Sequence, residues 1–173
     1  MNEDSAMTRA SFDLAACLLA CFSLFALHAD DDKKKEEKQS GPVKWTAAFE
    51  PKTVKPGGET TLKVKATLEE GWHIYAVDKP TGFSRKTSLK LDVAAKLSPD
   101  KAWKIPAPVR DEKAEDETHY YEGEVVFTRK IKANESAEGV LEATVTADFM
   151  ACNEEMCLPP KKVAVKAALK VEK

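Results

Sequence analysis

Leu62-Lys63-Val64-Lys65-Ala66-Thr67-Leu68 switches between apolar and polar at every step. That period of two marks a strand with one dry face and one wet face. The pattern recurs on both sides of this stretch. Val43, Trp45, Ala47 and Phe49 alternate with Lys44, Thr46 and Ala48. Trp72, Ile74 and Ala76 alternate with His73 and Tyr75. Further runs place Leu89, Leu91 and Val93, then Val125 and Phe127, then Leu141, Ala143, Val145 and Ala147 on one phase. The last run is Val163, Val165, Ala167, Leu169 and Val171.

Turn chemistry separates these runs. Lys55-Pro56-Gly57-Gly58, Glu70-Gly71, Ser98-Pro99-Asp100, residues 134–139 and Pro159-Pro160 all break a strand. Ala94-Ala95-Lys96-Leu97 suits a single helical turn that Pro99 stops, and no longer amphipathic helix is present. Asn134-Glu135-Ser136 matches a glycosylation sequon and is read as a plain surface loop. About seven short strands without a helix predict an all-β fold, an antiparallel β-sandwich of immunoglobulin-like type.

Residues 1–29 read as a secretory leader. Arg9 supplies a basic start after Met7, residues 14–27 are largely apolar, and Leu27-His28-Ala29 ends in small residues. The apolar run is too short for a membrane span, which needs about 20 residues. Leu14-Ala15-Ala16-Cys17 and Leu18-Leu19-Ala20-Cys21 resemble lipoprotein processing boxes, but neither follows a full apolar run. Cleavage after Ala29 is therefore favoured over lipid anchoring. Residues 30–41 are mostly charged, have little to bury and read as a disordered linker. Residues 42–173 remain as one domain with one core. Loss of the leader removes Arg9 and three acids, Glu3, Asp4 and Asp13, which leaves the two signs equal in number. That balance argues against nucleic acid or a membrane surface as partner. No later run is long enough to span a bilayer, so no membrane span is expected in the mature chain.

Export also removes Cys17 and Cys21 and leaves Cys152 and Cys157. These lie in Cys152-Asn153-Glu154-Glu155-Met156-Cys157-Leu158-Pro159-Pro160, between two strand-like runs. An oxidising compartment allows a disulfide there. Closing so short a loop stabilises by about 2 kcal/mol in the chain-entropy model. A sandwich with this many apolar strands has little need of it. Glu154 and Glu155 between the thiols disfavour a thiolate, which suits a thiol that reacts when a partner supplies the geometry.

The segment from Ala147-Asp148-Phe149-Met150-Ala151-Cys152 to Cys157-Leu158-Pro159-Pro160 resembles the cysteine segment of the N-terminal periplasmic domain of the bacterial thiol–disulfide interchange protein DsbD family. Gly71-Trp72-His73-Ile74-Tyr75 resembles that family's aromatic strand. His119-Tyr120-Tyr121-Glu122-Gly123-Glu124-Val125-Val126-Phe127 resembles the segment carrying its aromatic cap loop. The three motifs occur in the family's order.

The resemblance implies an immunoglobulin-like sandwich whose cysteine pair shuttles electrons. It implies that Cys157 forms the mixed disulfide with thioredoxin-like exported proteins and that Cys152 resolves it. Tyr120 or Tyr121 then caps the pair. His73 and Tyr75, on the phase opposite Trp72 and Ile74, line the site. No cofactor is implied. Family members continue into a membrane domain and a thioredoxin domain. The residues here stop at Lys173, so a separate membrane electron donor and a periplasmic location are expected.

Two other functions fit parts of the same segment. Met150, Cys152, Met156 and Cys157, with His73 or His119, form a soft donor set that suits Cu(I). A non-enzymatic sandwich for protein contacts, with a purely structural disulfide, fits as well.

Overall fold

A computed structural model describes residues 39–79, 81, 84–112 and 117–173. The expected leader, residues 1–29, and residues 30–38 of the expected linker lie outside the described residues. The strands, in chain order, are β1 (Val43–Glu50), β2 (Thr53–Val54), β3 (Glu59–Leu68), β4 (His73–Tyr75), β5 (Ser88–Val93) and β6 (Leu97–Pro99). They continue as β7 (Val109–Asp111), β8 (Thr118–Glu122), β9 (Glu124–Ala133), β10 (Gly139–Phe149), β11 (Ala151–Cys152) and β12 (Lys161–Val171). Among the described residues there is no helix.

The strands form three sheets, ordered β1-β3-β9-β6, β2-β12-β10-β5 and β11-β4-β8-β7. All the pairings are antiparallel except β2 with β12. The first two sheets supply the layers of the expected sandwich. The period-two runs place their apolar phase between them: Trp45, Phe49, Leu62, Val64 and Phe127 from one side, Val145, Val165 and Leu169 from the other. Trp45 sits at the centre of an aromatic group, 5.4 Å from Phe149 and 6.2 Å from Phe127 between ring centroids. Leu89, Leu91 and Val93 on β5 are only half-buried, as befits an edge strand.

The third sheet is short and extends the core at one end. Ala151, Ile74 and Tyr121 stand opposite one another across it and are all buried. Gly123 joins this sheet to the first. It has φ of 65°, a conformation open to glycine, and its carbonyl accepts a hydrogen bond from the Leu68 amide at 2.7 Å. The chain thus leaves β8 and enters β9 within one residue.

Two local readings change. Ala94–Leu97 forms a tight turn closed by Leu97 N–H to the Ala94 carbonyl at 2.8 Å, and Leu97 already belongs to β6. Pairing of Leu97 with Ala133 outcompetes a helical start. At the other end, Gln39 is already tied to the sandwich. Its side-chain amide donates to the Trp45 carbonyl and accepts from the Trp45 N–H, both at 2.7 Å, as a neighbouring strand would.

Candidate functional site

β10 and β12 form the long hairpin that the two apolar runs predict, in register from Gly139↔Val171 to Phe149↔Lys161. Its connection is not a tight turn. After Met150 the chain leaves the second sheet and joins the third, where Ala151 pairs with Ile74 and Cys152 with His73. It then doubles back on itself, so that Cys152 and Cys157 form an isolated antiparallel bridge. Their Cα atoms are 4.0 Å apart and the side chains form a disulfide.

The loop carries its own hydrogen bonds. The Leu158 amide donates to the Ala151 carbonyl at 2.8 Å, and the Asn153 amide to the Met156 carbonyl at 2.9 Å. Asn153 Oδ1 accepts from the amides of Glu155 at 3.0 Å and Met156 at 2.8 Å. A side-chain carbonyl that stands in for backbone two residues on is what makes asparagine a turn residue. Pro159 and Pro160 bring no N–H to satisfy as the chain returns toward β12. Asparagine's turn chemistry makes Asn153 legible from its residue type alone.

The two cysteines differ sharply in exposure. Cys152 is 1 % exposed, whereas Cys157 is exposed beside Met156, itself 55 % exposed. Behind the loop lies a cavity of about 350 Å³, lined by Val43, Phe149, Ala151, Leu158 and Pro159 among others.

Residues directly opposite in a sheet share a face. The face of the third sheet away from the core therefore holds Cys152, His73 and Glu122 in one row and Tyr75, Tyr120 and Val109 in the next. The His73 ring lies 5.3 Å from the Tyr75 ring at 88° and 5.0 Å from the Tyr120 ring at 50°. Burial lowers the His73 pKa from its ordinary value, against the raising influence of Asp111 and Glu122. Burial raises that of Tyr120, helped by the same two carboxylates.

Tyr120 and Tyr121 lie in a strand, β8, and strand alternation sends them to opposite faces. Tyr121 is 3 % exposed and packs edge-on against Phe127 at 5.5 Å. Its hydroxyl donates to the Pro106 carbonyl at 3.2 Å. Burial, with the Asp78 charge, pushes its pKa up to about 12 despite a hydrogen bond at the Val77 backbone. Residues 113–116, between β7 and β8, lie outside the described residues.

The sites named from sequence thus divide. Cys152, His73, Tyr75 and Tyr120 share one face, with Cys157 bonded to Cys152, while Tyr121 belongs to the core. His119 stands on the Tyr121 face of β8, away from Cys152 and His73, so it does not complete the proposed soft donor set. Among the described residues, no group of three His, Cys, Asp or Glu side chains is gathered to hold a metal ion. Glu122 is in phase with Tyr120 and could have been read from the sequence. Asp111 could not, because its place depends on the long-range pairing of β7 with β8.

Comparison with known proteins bears on this arrangement. Residues 39–169 match the family described as thiol:disulfide interchange protein DsbD, N-terminal. Among solved structures, the N-terminal periplasmic domain of ScsB from Proteus mirabilis is similar, with 16% identity and a TM-score of 0.50. The match covers 75% of this chain and 47% of that one, so the chain spans about half the length of the ScsB structure. The Neisseria meningitidis DsbD N-terminal domain in the reduced form has 17% identity and a TM-score of 0.42, over 71% of this chain and 81% of that one. No curated protein matches the chain. Identities this low bear on fold alone. The family match is of another kind: it runs through both large sheets, the third sheet and the whole cysteine loop, and by it the chain belongs to the DsbD N-terminal domain family.

Proposed function

We propose that this is an exported thiol–disulfide exchange domain that passes electrons through Cys152 and Cys157 to thioredoxin-like proteins. The observation that carries the reading is the unequal exposure of two bonded sulfurs in one self-contained loop. Exchange requires one sulfur that a partner can reach and a second that waits behind it. Cys157 is the attacking sulfur and Cys152 the resolving one. Tyr120, on the face shared with His73 and Cys152, shields the pair and Tyr75 lines it. The leader at residues 1–29 delivers the domain to the periplasm, where a separate membrane protein supplies its electrons. Membership in the family supports this reading. Among the described residues, no helix is long and apolar enough to cross a membrane.

Trapping with single-cysteine variants tests the assignment. Cys152→Ala, reduced and mixed with an oxidised thioredoxin-like protein, accumulates a mixed disulfide through Cys157. Cys157→Ala does not. Equal trapping by both variants would reverse or abolish the division of roles. A disulfide that a thioredoxin-strength reductant leaves intact would make the bond purely structural. Tyr120→Ala in the reduced protein speeds reaction with a small disulfide reagent, and an unchanged rate would remove Tyr120 from the shield.

A further inference from the structure

Cys152 has a difficulty that Cys157 lacks. Only the thiolate attacks a disulfide. Cys152 is 1 % exposed in the disulfide, and a thiol released at so buried a place is penalised for ionising and has little bulk water beside it to take the proton. What stands directly opposite it, on the same face of the paired strand, is an imidazole. Opposed residues in an antiparallel pair have Cβ atoms roughly 4.5–5.5 Å apart, within reach of a histidine side chain.

We propose that His73 exchanges the proton of Cys152, accepting it when Cys152 attacks and returning it when Cys152 leaves. The proposal rests on the exchange reading above. In the oxidative direction, Cys157 thiolate attacks the partner's disulfide. A Cys157–partner bond forms and one partner sulfur departs as thiolate. Cys152 then attacks Cys157 Sγ while its proton passes to His73. The Cys152–Cys157 bond forms, the Cys157–partner bond breaks, and the electron pair leaves on the partner's second sulfur. His73 gives its proton up to that sulfur or to solvent. Two electrons reach the partner in total, and its two sulfurs take up from solvent or His73 the equivalent of the two protons that Cys157 and Cys152 gave up. The reverse sequence reduces this domain, and His73 then protonates the departing Cys152.

The surroundings suit a base. The rings of Tyr75 and Tyr120 pack against the imidazole at 5.3 and 5.0 Å between centroids. Burial favours its neutral form, which has a lone pair to offer. The charges that bear on it are Glu122 from β8 and Asp111 from β7, and both moderate that effect. The other titratable groups of this face are Cys152 on β11, Tyr120 on β8 and Tyr75 on its own strand. Glu154 and Glu155 lie at the exposed tip of the loop.

Stopped-flow reaction of the reduced protein with dithiodipyridine separates the two sulfurs. The first thiopyridone released reports Cys157, at a rate proportional to reagent. The second reports closure by Cys152, at a rate independent of reagent. With His73 as base, the closure rate levels off once the imidazole is neutral, below the ordinary histidine pKa. In His73→Gln, closure near neutral pH is slower by about tenfold or more and keeps climbing with pH until the Cys152 thiol itself titrates. The first phase keeps its rate. Glu122→Gln removes an anion that favours the imidazolium, so the levelling moves to lower pH. This second variant tests the proposal even if His73→Gln folds poorly. Closure with the same pH profile in parent and His73→Gln, or a levelling that Glu122→Gln leaves in place, overturns it. A parent that releases one equivalent and never closes its disulfide overturns the exchange reading, and this proposal with it.

Discussion

A tyrosine pair becomes two different residues once it is put in a strand. Tyr120 and Tyr121 are adjacent and chemically alike, yet one faces His73 and the other faces Phe127. Their titrations should separate accordingly. The Tyr121 phenol is held neutral to about pH 12 by burial and Asp78, and the ordinary value is 10.0. Raising an acid's pKa in the fold means that the folded state keeps a proton the unfolded chain releases. The stabilisation is complete below pH 10 and is lost as pH rises from there toward 12. Spectrophotometric titration of the three tyrosines should show one phenolate appearing last, together with loss of structure. In Tyr121→Phe that late step should be gone. Its survival would place the most shifted phenol elsewhere.

At the scale of elements, the cysteine loop and the third sheet depend on each other through a two-residue strand. The loop has its own hydrogen bonds and the β11–β4 pairing in addition to the disulfide. Cys152→Ala/Cys157→Ala should therefore fold cooperatively, at a cost on the order of 2 kcal/mol or less. Urea denaturation measures it, and an unfolded double variant would show the bond to be structural. Gly123 is the joint between the third sheet and the first. A Cβ there meets nothing within 4 Å, so the penalty for alanine comes from φ alone. Gly123→Ala should cost about 1–2 kcal/mol. A loss well beyond that would show that the joint also governs packing.

Taken together, the described residues form a sandwich with a small third sheet, and the large core is their main source of stability. Trp45 is 1 % exposed between Phe127 and Phe149. Trp45→Ala should cost about 3–5 kcal/mol by leaving a cavity between the two layers. A change under about 1 kcal/mol in denaturant unfolding would put the main core elsewhere. The alternating runs determined this much of the protein from sequence alone: β1, β3, β10 and β12 lie where the period of two put them. So did the hairpin that frames the cysteines, because side-chain phase and turn residues are local properties. The pairing of Cys152 with His73 and the place of Asp111 lay beyond it. They follow from β11 crossing to β4 and from β7 joining β8, contacts between segments far apart in the chain. The same holds for the two sulfurs. Composition makes them equivalent, and only the packing of the third sheet buries Cys152 and leaves Cys157 in reach.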